Sequence, residues 1–85
     1  MKDYKIAIRK QAEKFINSQN KEQRERLYKA IYNLPNGTDI KPLKSSGKAF
    51  RLRVGSFRVI FERDDDVLIV TVVNADNRGQ VYKKI

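Results

Sequence analysis

Residues 49–61 carry the pattern that decides the fold, and they read Ala49-Phe50-Arg51-Leu52-Arg53-Val54-Gly55-Ser56-Phe57-Arg58-Val59-Ile60-Phe61. Apolar and polar side chains alternate on both sides of Gly55-Ser56, which is typical of two β-strands joined by a two-residue turn. Such a turn gathers the apolar side chains on one face, namely Phe50, Leu52, Val54, Phe57, Val59 and Phe61. The sequence therefore predicts a hairpin, with strands over 49–54 and 57–63, that covers a hydrophobic core.

The opposite face of this hairpin carries Arg51, Arg53 and Arg58. The two-residue turn places Arg53 directly across from Arg58, and like charges in that position destabilise a sheet. A stability rule that is broken without visible structural gain indicates a functional site. We therefore predict that a polyanion binds across the two arginines.

The charge of the whole chain supports such a partner. There are 19 Lys and Arg against 10 Asp and Glu, for a formal net charge of +9. This balance favours binding to nucleic acid, the ribosome or an acidic protein, although a basic surface that serves only solubility is the alternative. We expect three lysines near the hairpin to follow a nucleic-acid backbone without taking part in chemistry: Lys41, Lys44 and Lys48.

Cysteine and histidine are absent from the sequence. Their absence excludes disulfides, thiolate nucleophiles, zinc–thiolate sites and imidazole acid–base catalysis. We expect no metal or cofactor, and we interpret Asp64-Asp65-Asp66 as a solvated turn. No apolar run has the length of a membrane span, and residues 1–4 do not resemble a signal peptide. The expected location is therefore the cytoplasm.

The first part of the chain predicts a strand followed by two helices. The strand is expected at 4–9 and the first helix at 10–19, where apolar residues recur at helical spacing. Asn20 and Gln23 have the spacing of a capping box for the second helix. That helix is expected to end near Leu34, because proline follows it.

The second part of the chain predicts loops and further strands. Residues 38–48 read as a loop, and 67–73 as a central strand covered on both faces. A polar loop is expected at 74–79 and a short strand at Val81-Tyr82. Together these elements predict one α+β domain over 1–85, with an N-terminal strand, a two-helix hairpin and an antiparallel strand meander whose sheet is covered by helices on one face.

Three blocks of the sequence are similar to a known protein family: Pro42-Leu43-Lys44, then residues 50–61, then Asn77-Arg78-Gly79-Gln80-Val81-Tyr82-Lys83. In this order they resemble the RelE/ParE family of toxins from bacterial toxin–antitoxin pairs. The resemblance covers essentially the whole chain and implies a toxin that a cognate antitoxin silences. RelE-like members cleave mRNA in the A site of the 30S ribosomal subunit without a metal, whereas ParE-like members inhibit DNA gyrase.

By this resemblance, the catalytic positions of RelE-type enzymes fall on Arg51, Arg53, Arg58, Arg78 and Tyr82. Arginine binds phosphate through a planar fork of N–H donors, so several arginines would stabilise the phosphorane formed when RNA is cleaved. Tyr82 is the candidate general base, and no residue is assigned as general acid. Plain surface positions for the arginines, and a core-edge position for Tyr82, remain the alternatives.

Two residues depart from the family pattern. Asn77 stands where the family often has His or Lys, and Asp76 puts an acid beside the expected site. Three functions therefore stay open: a ribosome-dependent mRNA endonuclease first, a gyrase inhibitor second, and an inactive binder of nucleic acid or antitoxin third. An acidic, partly disordered antitoxin is the expected partner. The helix surface near Tyr28 and Tyr32 is its candidate site, and a core-edge position for these two tyrosines is the alternative.

Overall fold

The computed structural model describes residues 4–37, 39–43 and 48–77. In chain order its elements are β1 (Lys5–Ile8), α1 (Lys10–Asn17), α2 (Lys21–Tyr32), β2 (Ile40–Pro42), β3 (Ala49–Val54), β4 (Phe57–Asp64) and β5 (Ile69–Asn77). This order confirms the predicted α+β class with a strand, two helices and then strands. No helix in the described residues is both long enough and apolar enough to cross a membrane.

The strands of the described chain form one five-stranded sheet in the order β1-β5-β4-β3-β2. The neighbours β2–β3, β3–β4 and β4–β5 pair in antiparallel fashion. At the other edge, β1 pairs in parallel with β5, so the sheet is mixed and the expectation of an antiparallel sheet is corrected there. Strands joined by a tight turn must be antiparallel, whereas a long connection also permits parallel pairing. The connection from β1 to β5 is long and includes both helices.

The hairpin of β3 and β4 has the predicted register. Arg53 lies opposite Arg58, and Val54 lies opposite Phe57 on either side of the turn. Gly55 has a φ of 60°, as the first central residue of a type II′ turn requires, and glycine adopts this conformation without steric cost. The two-residue turn therefore sets which strand residues face each other at the site.

The core lies between the helices and one face of the sheet. Its buried members come from one side of each helix and from alternate residues of the strands: Ala12, Ile16, Leu27, Ile31, Leu34, Leu52, Val54, Phe57, Val59, Phe61, Val70, Val72 and Ala75. The predicted apolar face of the hairpin is thus confirmed, with Phe50 only partly buried at its margin. Because the helices cover this face alone, the arginines of the hairpin lie on the outer face of the sheet.

Side-chain hydrogen bonds fix the two-helix hairpin. Asn20 caps α2, since its Oδ1 accepts a hydrogen bond of 2.9 Å from the backbone N–H of Gln23, as the capping pattern predicts. Tyr28 on α2 donates from its hydroxyl to Oδ1 of Asn17 at the end of α1, at 2.8 Å. The second bond ties the helices to each other over the sheet.

Strand β2 lies inside the segment 38–48 for which the sequence predicts only a loop. It is three residues long and forms the edge of the sheet, with Pro42 opposite Phe50 at its end. Proline lacks the N–H that an interior strand needs, but an edge strand tolerates it. The loop prediction was wrong for these residues because an edge position removes the objection to proline.

Strand β5 continues to Asn77, so the predicted polar loop at 74–79 was wrong for its first four residues. The pairing with β4 shifts register between Ile60 and Phe61, which leaves Val73 as the extra residue of a β-bulge. Beyond the bulge Ala75 is buried again. Pairing with β4 outweighs the low strand propensity of the Asn and Asp residues in this segment.

The apolar start of β5 is buried on one face only, which corrects the expectation of a strand covered on both faces. Val70 and Val72 are fully buried, whereas Ile69 and Thr71 are half-buried on the outer face. No described element packs over that outer face, so its side chains remain partly in contact with solvent. The short strand expected at residues 81 and 82 lies outside the described residues.

Candidate nucleic-acid interface

The outer face of the sheet presents the arginines that the sequence singles out. Side chains alternate along a strand, so β3 presents Arg51 and Arg53 on this face and β4 presents Arg58. Arg53 is exposed, and the other two are half-buried. Arg53 and Arg58 are directly opposite each other, which puts their Cβ atoms about 5 Å apart. The predicted arginine pair is therefore present on the face that the helices leave open.

Asp76 on β5 lies opposite Arg58, on the side away from Arg53. Its Oδ1 accepts a hydrogen bond of 3.2 Å from Nε of Arg58, and its Oδ2 accepts one of 2.8 Å from Nη2. The side chains of Arg58 and Asp76 are 36% and 35% exposed. A two-bonded contact of this kind orients a guanidinium and offsets part of its charge. Sequence reasoning placed an acid near the site but missed this ion pair, because it interpreted the segment as a loop.

Asp39 stands at the other end of the same row. The backbone N–H of Arg53 donates to its carbonyl at 3.0 Å, which continues the β2–β3 ladder by one residue beyond the Ile40–Leu52 pair. Asp39 immediately before β2, Arg53 on β3, Arg58 on β4 and Asp76 on β5 thus follow one another across the sheet. We call these four residues the charged row. The ion pair with Asp76 offsets part of the charge of Arg58, so the structure corrects the expectation that the like-charge contact has no compensation in the fold.

Arg51 extends the basic surface along β3. It lies opposite Lys41 on β2 and Ile60 on β4, and Lys41 is exposed. The Nε of Arg51 is buried and has no hydrogen-bond partner among the described residues, an arrangement that is uncommon and unfavourable in folded proteins. Lys41 and Arg51 therefore lie beside the charged row on the same face of the sheet, two residue pairs farther from the turn.

Lys48 lies away from these residues. It precedes β3 at the end remote from the turn, where its carbonyl accepts a hydrogen bond of 3.0 Å from the N–H of Arg63. It lines a surface hollow together with the acidic residues 64–66, and five residues of strand, or about 16 Å, separate it from Arg53. The structure does not bring Lys48 into one surface with the arginine pair. Three further predicted site residues lie outside the described residues: Lys44, Arg78 and Tyr82.

The acidic turn after β4 is held by a local contact of its own. Tyr4 donates from its hydroxyl to Oδ1 of Asp65 at 2.6 Å, and Nε of Arg63 donates to the same oxygen at 2.7 Å. The hydrogen bond to Asp65 raises the pKa of Tyr4, because an ionised tyrosine would lose it. The hydrogen bond that Arg63 itself donates to Asp65 raises the pKa of Arg63. Within the described part of the chain, no three acidic side chains form a group that would hold a metal ion.

The exposed side of α2 presents a second surface, with aromatic and basic groups. Tyr28 and Tyr32 are stacked with ring centroids 6.1 Å apart, and Tyr32 is 62% exposed. Burial raises the pKa of Tyr28. Tyr32, Lys29 and Val54 contribute to one shallow groove between α2 and the end of β3. A large exposed aromatic ring beside basic groups has the chemistry of a binding surface for an acidic, amphipathic chain.

Comparison with known proteins gives one family and one fold. A family model described as the ParE toxin of the type II toxin–antitoxin system, parDE, matches residues 1–82. The fold is similar to the RelBE2 toxin–antitoxin complex of Mycobacterium tuberculosis, with 20% identity, a TM-score of 0.78 and coverage of 92% of this chain and 94% of that chain.

Two further solved structures are similar. The RelE–RelB complex of Pyrococcus horikoshii has 23% identity, a TM-score of 0.75 and coverage of 92% of this chain and 98% of that chain. The isolated Escherichia coli RelE toxin has 18% identity, a TM-score of 0.72 and coverage of 95% and 93%. No match was found among curated proteins. At these identities the structural likeness concerns the fold alone.

Proposed function

The chain belongs to the ParE toxin family of type II toxin–antitoxin systems, and on this premise we propose that it is a ribosome-dependent mRNA endonuclease of the RelE type. The observation that carries the proposal is the Arg53–Arg58 pair, whose members face each other on the side of the sheet that the helices leave open. Two guanidinium groups at this spacing suit the oxygens of an RNA phosphate.

The chemistry requires three tasks at one phosphate. The ribose 2′-hydroxyl must lose its proton as its oxygen attacks phosphorus, the phosphorane must be stabilised, and the leaving 5′-oxygen must gain a proton. Arg53 and Arg58 perform the second task. Donors that are already oriented towards developing charge contribute on the order of 10²–10³-fold in rate each. Tyr82 is the candidate general base for the first task, Arg78 is by resemblance to the family a further arginine at the site, and no residue is assigned as the general acid.

Lys41 and Arg51 provide the next contact along the RNA strand. Arg51 lies two residues, or about 6.6 Å, from Arg53 on the same face, with Lys41 opposite it on the edge strand. Charged side chains in this arrangement bind successive backbone phosphates without reading the bases. They position the strand, and the charged row acts on the phosphate that is cleaved.

The direct test is primer extension on an mRNA that is translated in a reconstituted extract, with and without ribosomes. Cuts are expected only when ribosomes are present. Replacing Arg58 with Ala should lower the cleavage rate by about 10²–10³-fold. The matched control is Arg9→Ala, which removes the same charge from an exposed residue after β1, at the edge of the sheet away from β2.

The outcomes separate the candidate functions. Cleavage that depends on ribosomes, survives Arg9→Ala and is lost in folded Arg58→Ala supports the endonuclease. An uncut transcript with folded wild-type protein contradicts it. If the cleavage rate is unchanged in the Arg58→Ala variant, the charged row takes no part in the cleavage reaction.

A second function, inhibition of DNA gyrase, is supported by two observations. The family model that matches the chain is that of ParE, and the carboxylate of Asp76 already occupies one edge of the Arg58 guanidinium. A gyrase inhibitor needs no phosphorane site, so its inhibition of supercoiling should persist in the Arg58→Ala variant. A supercoiling assay on the same proteins therefore decides between the two.

The partner that we propose for silencing is a small acidic antitoxin. Similar solved structures include complexes of a RelE toxin with a RelB antitoxin, and the net charge of +9 favours an acidic partner. The groove beside Tyr32 offers it an exposed aromatic anchor among basic side chains. A pull-down of the natively expressed protein should recover a small acidic protein, and Tyr32→Ala should weaken that recovery.

A further inference from the structure

Asp76 and an RNA phosphate would bind the same arginine. The carboxylate of Asp76 forms two hydrogen bonds, of 3.2 Å and 2.8 Å, with the edge of Arg58 made by Nε and Nη2. This edge is one of the two that a guanidinium offers to a carboxylate or a phosphate in a forked contact. With the carboxylate in place, a phosphate that approaches Arg58 also meets a negative charge on the neighbouring strand.

The β-bulge in β5 gives Asp76 its position. Before the bulge Val70 and Val72 are buried, and after it Ala75 is buried, so the extra residue, Val73, changes which residues face outwards. If the same chain continued from Val72 as a regular strand without the bulge, strict alternation would turn Asp76 towards the core and Ala75 outwards. Bulges commonly redirect side chains next to functional sites. The backbone of β5 is thus built so that this carboxylate faces Arg58.

We propose that Asp76 is an intramolecular competitor of RNA phosphate, which holds Arg58 in place and weakens the binding of RNA to the charged row. The inference rests on the proposed function only for the location of the phosphate, and it does not depend on cleavage. Both side chains are about one third exposed, so the ion pair exchanges with an incoming anion at a small desolvation penalty. Asp76 is a positioning residue in this account.

The test measures RNA binding by fluorescence anisotropy with a short, labelled single-stranded RNA over a series of salt concentrations. The variant is Asp76→Asn, which keeps the size of the side chain and one acceptor oxygen. At ~100 mM salt it should bind RNA about three- to fivefold more tightly, the range expected for one partly exposed charge contact. The slope of log K against log salt should also steepen by about 0.7, as one more phosphate contact requires.

The controls separate a local effect from a change in net charge. Glu62→Gln removes the same charge from an exposed residue on the outer face of β4, about 13 Å along the strand from Arg58. It should change the affinity by less than about 1.5-fold at this salt concentration. In an Arg58→Ala background, Asp76→Asn should have no larger effect than Glu62→Gln, and thermal melts confirm that each variant is folded.

Three results would overturn the inference: equal or weaker RNA binding by folded Asp76→Asn, the same gain in the Arg58→Ala background, or the same gain from Glu62→Gln. Absence of RNA binding by all variants at low salt would also overturn it. The proposed endonuclease function is tested independently of this inference. Tighter binding by Asp76→Asn without ribosome-dependent cleavage contradicts the endonuclease alone, whereas cleavage without tighter binding contradicts this inference alone.

Discussion

Replacement of Phe61 with Leu should weaken the fold while leaving the charged row intact. Phe61 lies on β4, the middle strand of the sheet, and is 1% exposed. Its ring stacks on that of Phe50 with centroids 5.5 Å apart and an interplanar angle of 17°. Arg58 points to the opposite face of the same strand, so the substitution does not touch the side chains proposed to bind RNA.

The expected magnitude follows from burial. Truncating a buried Phe to Ala costs about 3–5 kcal/mol in the free energy of unfolding. Leucine restores a little over half of the lost side chain. It does not restore the contact between the rings, whose loss costs about 0.5–1.5 kcal/mol. Phe61→Leu should therefore lower the free energy of unfolding by about 2 kcal/mol. A chain of 85 residues has a total stability of about 4–13 kcal/mol. The variant should therefore remain folded at room temperature, with Tm lowered by about 8–16 °C.

The assay is urea unfolding followed by circular dichroism, combined with RNA binding at a temperature where the variant is folded. The midpoint should fall without a change in the m-value, and the RNA affinity should equal that of the wild-type protein. Phe50→Leu is the matched control, because Phe50 is only partly buried and should lose about half as much stability. Toxicity in cells should fall with the folded fraction only.

Two results would refute this reasoning. A loss below about 0.5 kcal/mol, or a larger loss for Phe50→Leu than for Phe61→Leu, would mean that β4 does not form the centre of the core. Weak RNA binding by a fully folded Phe61→Leu protein would mean that the two faces of the sheet are not independent.

Two further substitutions test local contacts. Asn20→Ala should lower the free energy of unfolding by about 1 kcal/mol, because the N–H of Gln23 loses its 2.9 Å cap; urea unfolding measures this, and an unchanged midpoint would contradict the cap. Asp65→Ala should lower the pKa of Tyr4, which the hydrogen bond to Asp65 raises above its usual 10.0. Because the folded-state pKa is the higher one, this contact stabilises the fold below pH 10.0 and loses its contribution as the pH rises through the raised pKa. NMR titration of labelled tyrosine measures the shift, with Tyr28 as the control because burial is the main cause of its own raised pKa.

Local patterns in the sequence were sufficient for the helices and the central hairpin. Period-two alternation around Gly55-Ser56 specifies both strands and their register, because a two-residue turn leaves only one way to pair them. The cap at Asn20 depends on residues within one helical turn. The opposition of Arg53 and Arg58 followed from the same short segment, so the central element of the candidate site could be predicted with the fold.

Tertiary structure decided the features that depend on residues distant in sequence. The edge strand β2, the parallel pairing of β1 and the extension of β5 to Asn77 arise from pairing partners that no local propensity identifies. The ion pair between Arg58 and Asp76 depends on the bulge at Val73, since one extra residue reverses the facing of every residue after it. The short hairpin segment therefore predicts the arginine pair, whereas the carboxylate of Asp76 that bonds Arg58 became visible only once β4 and β5 lay side by side.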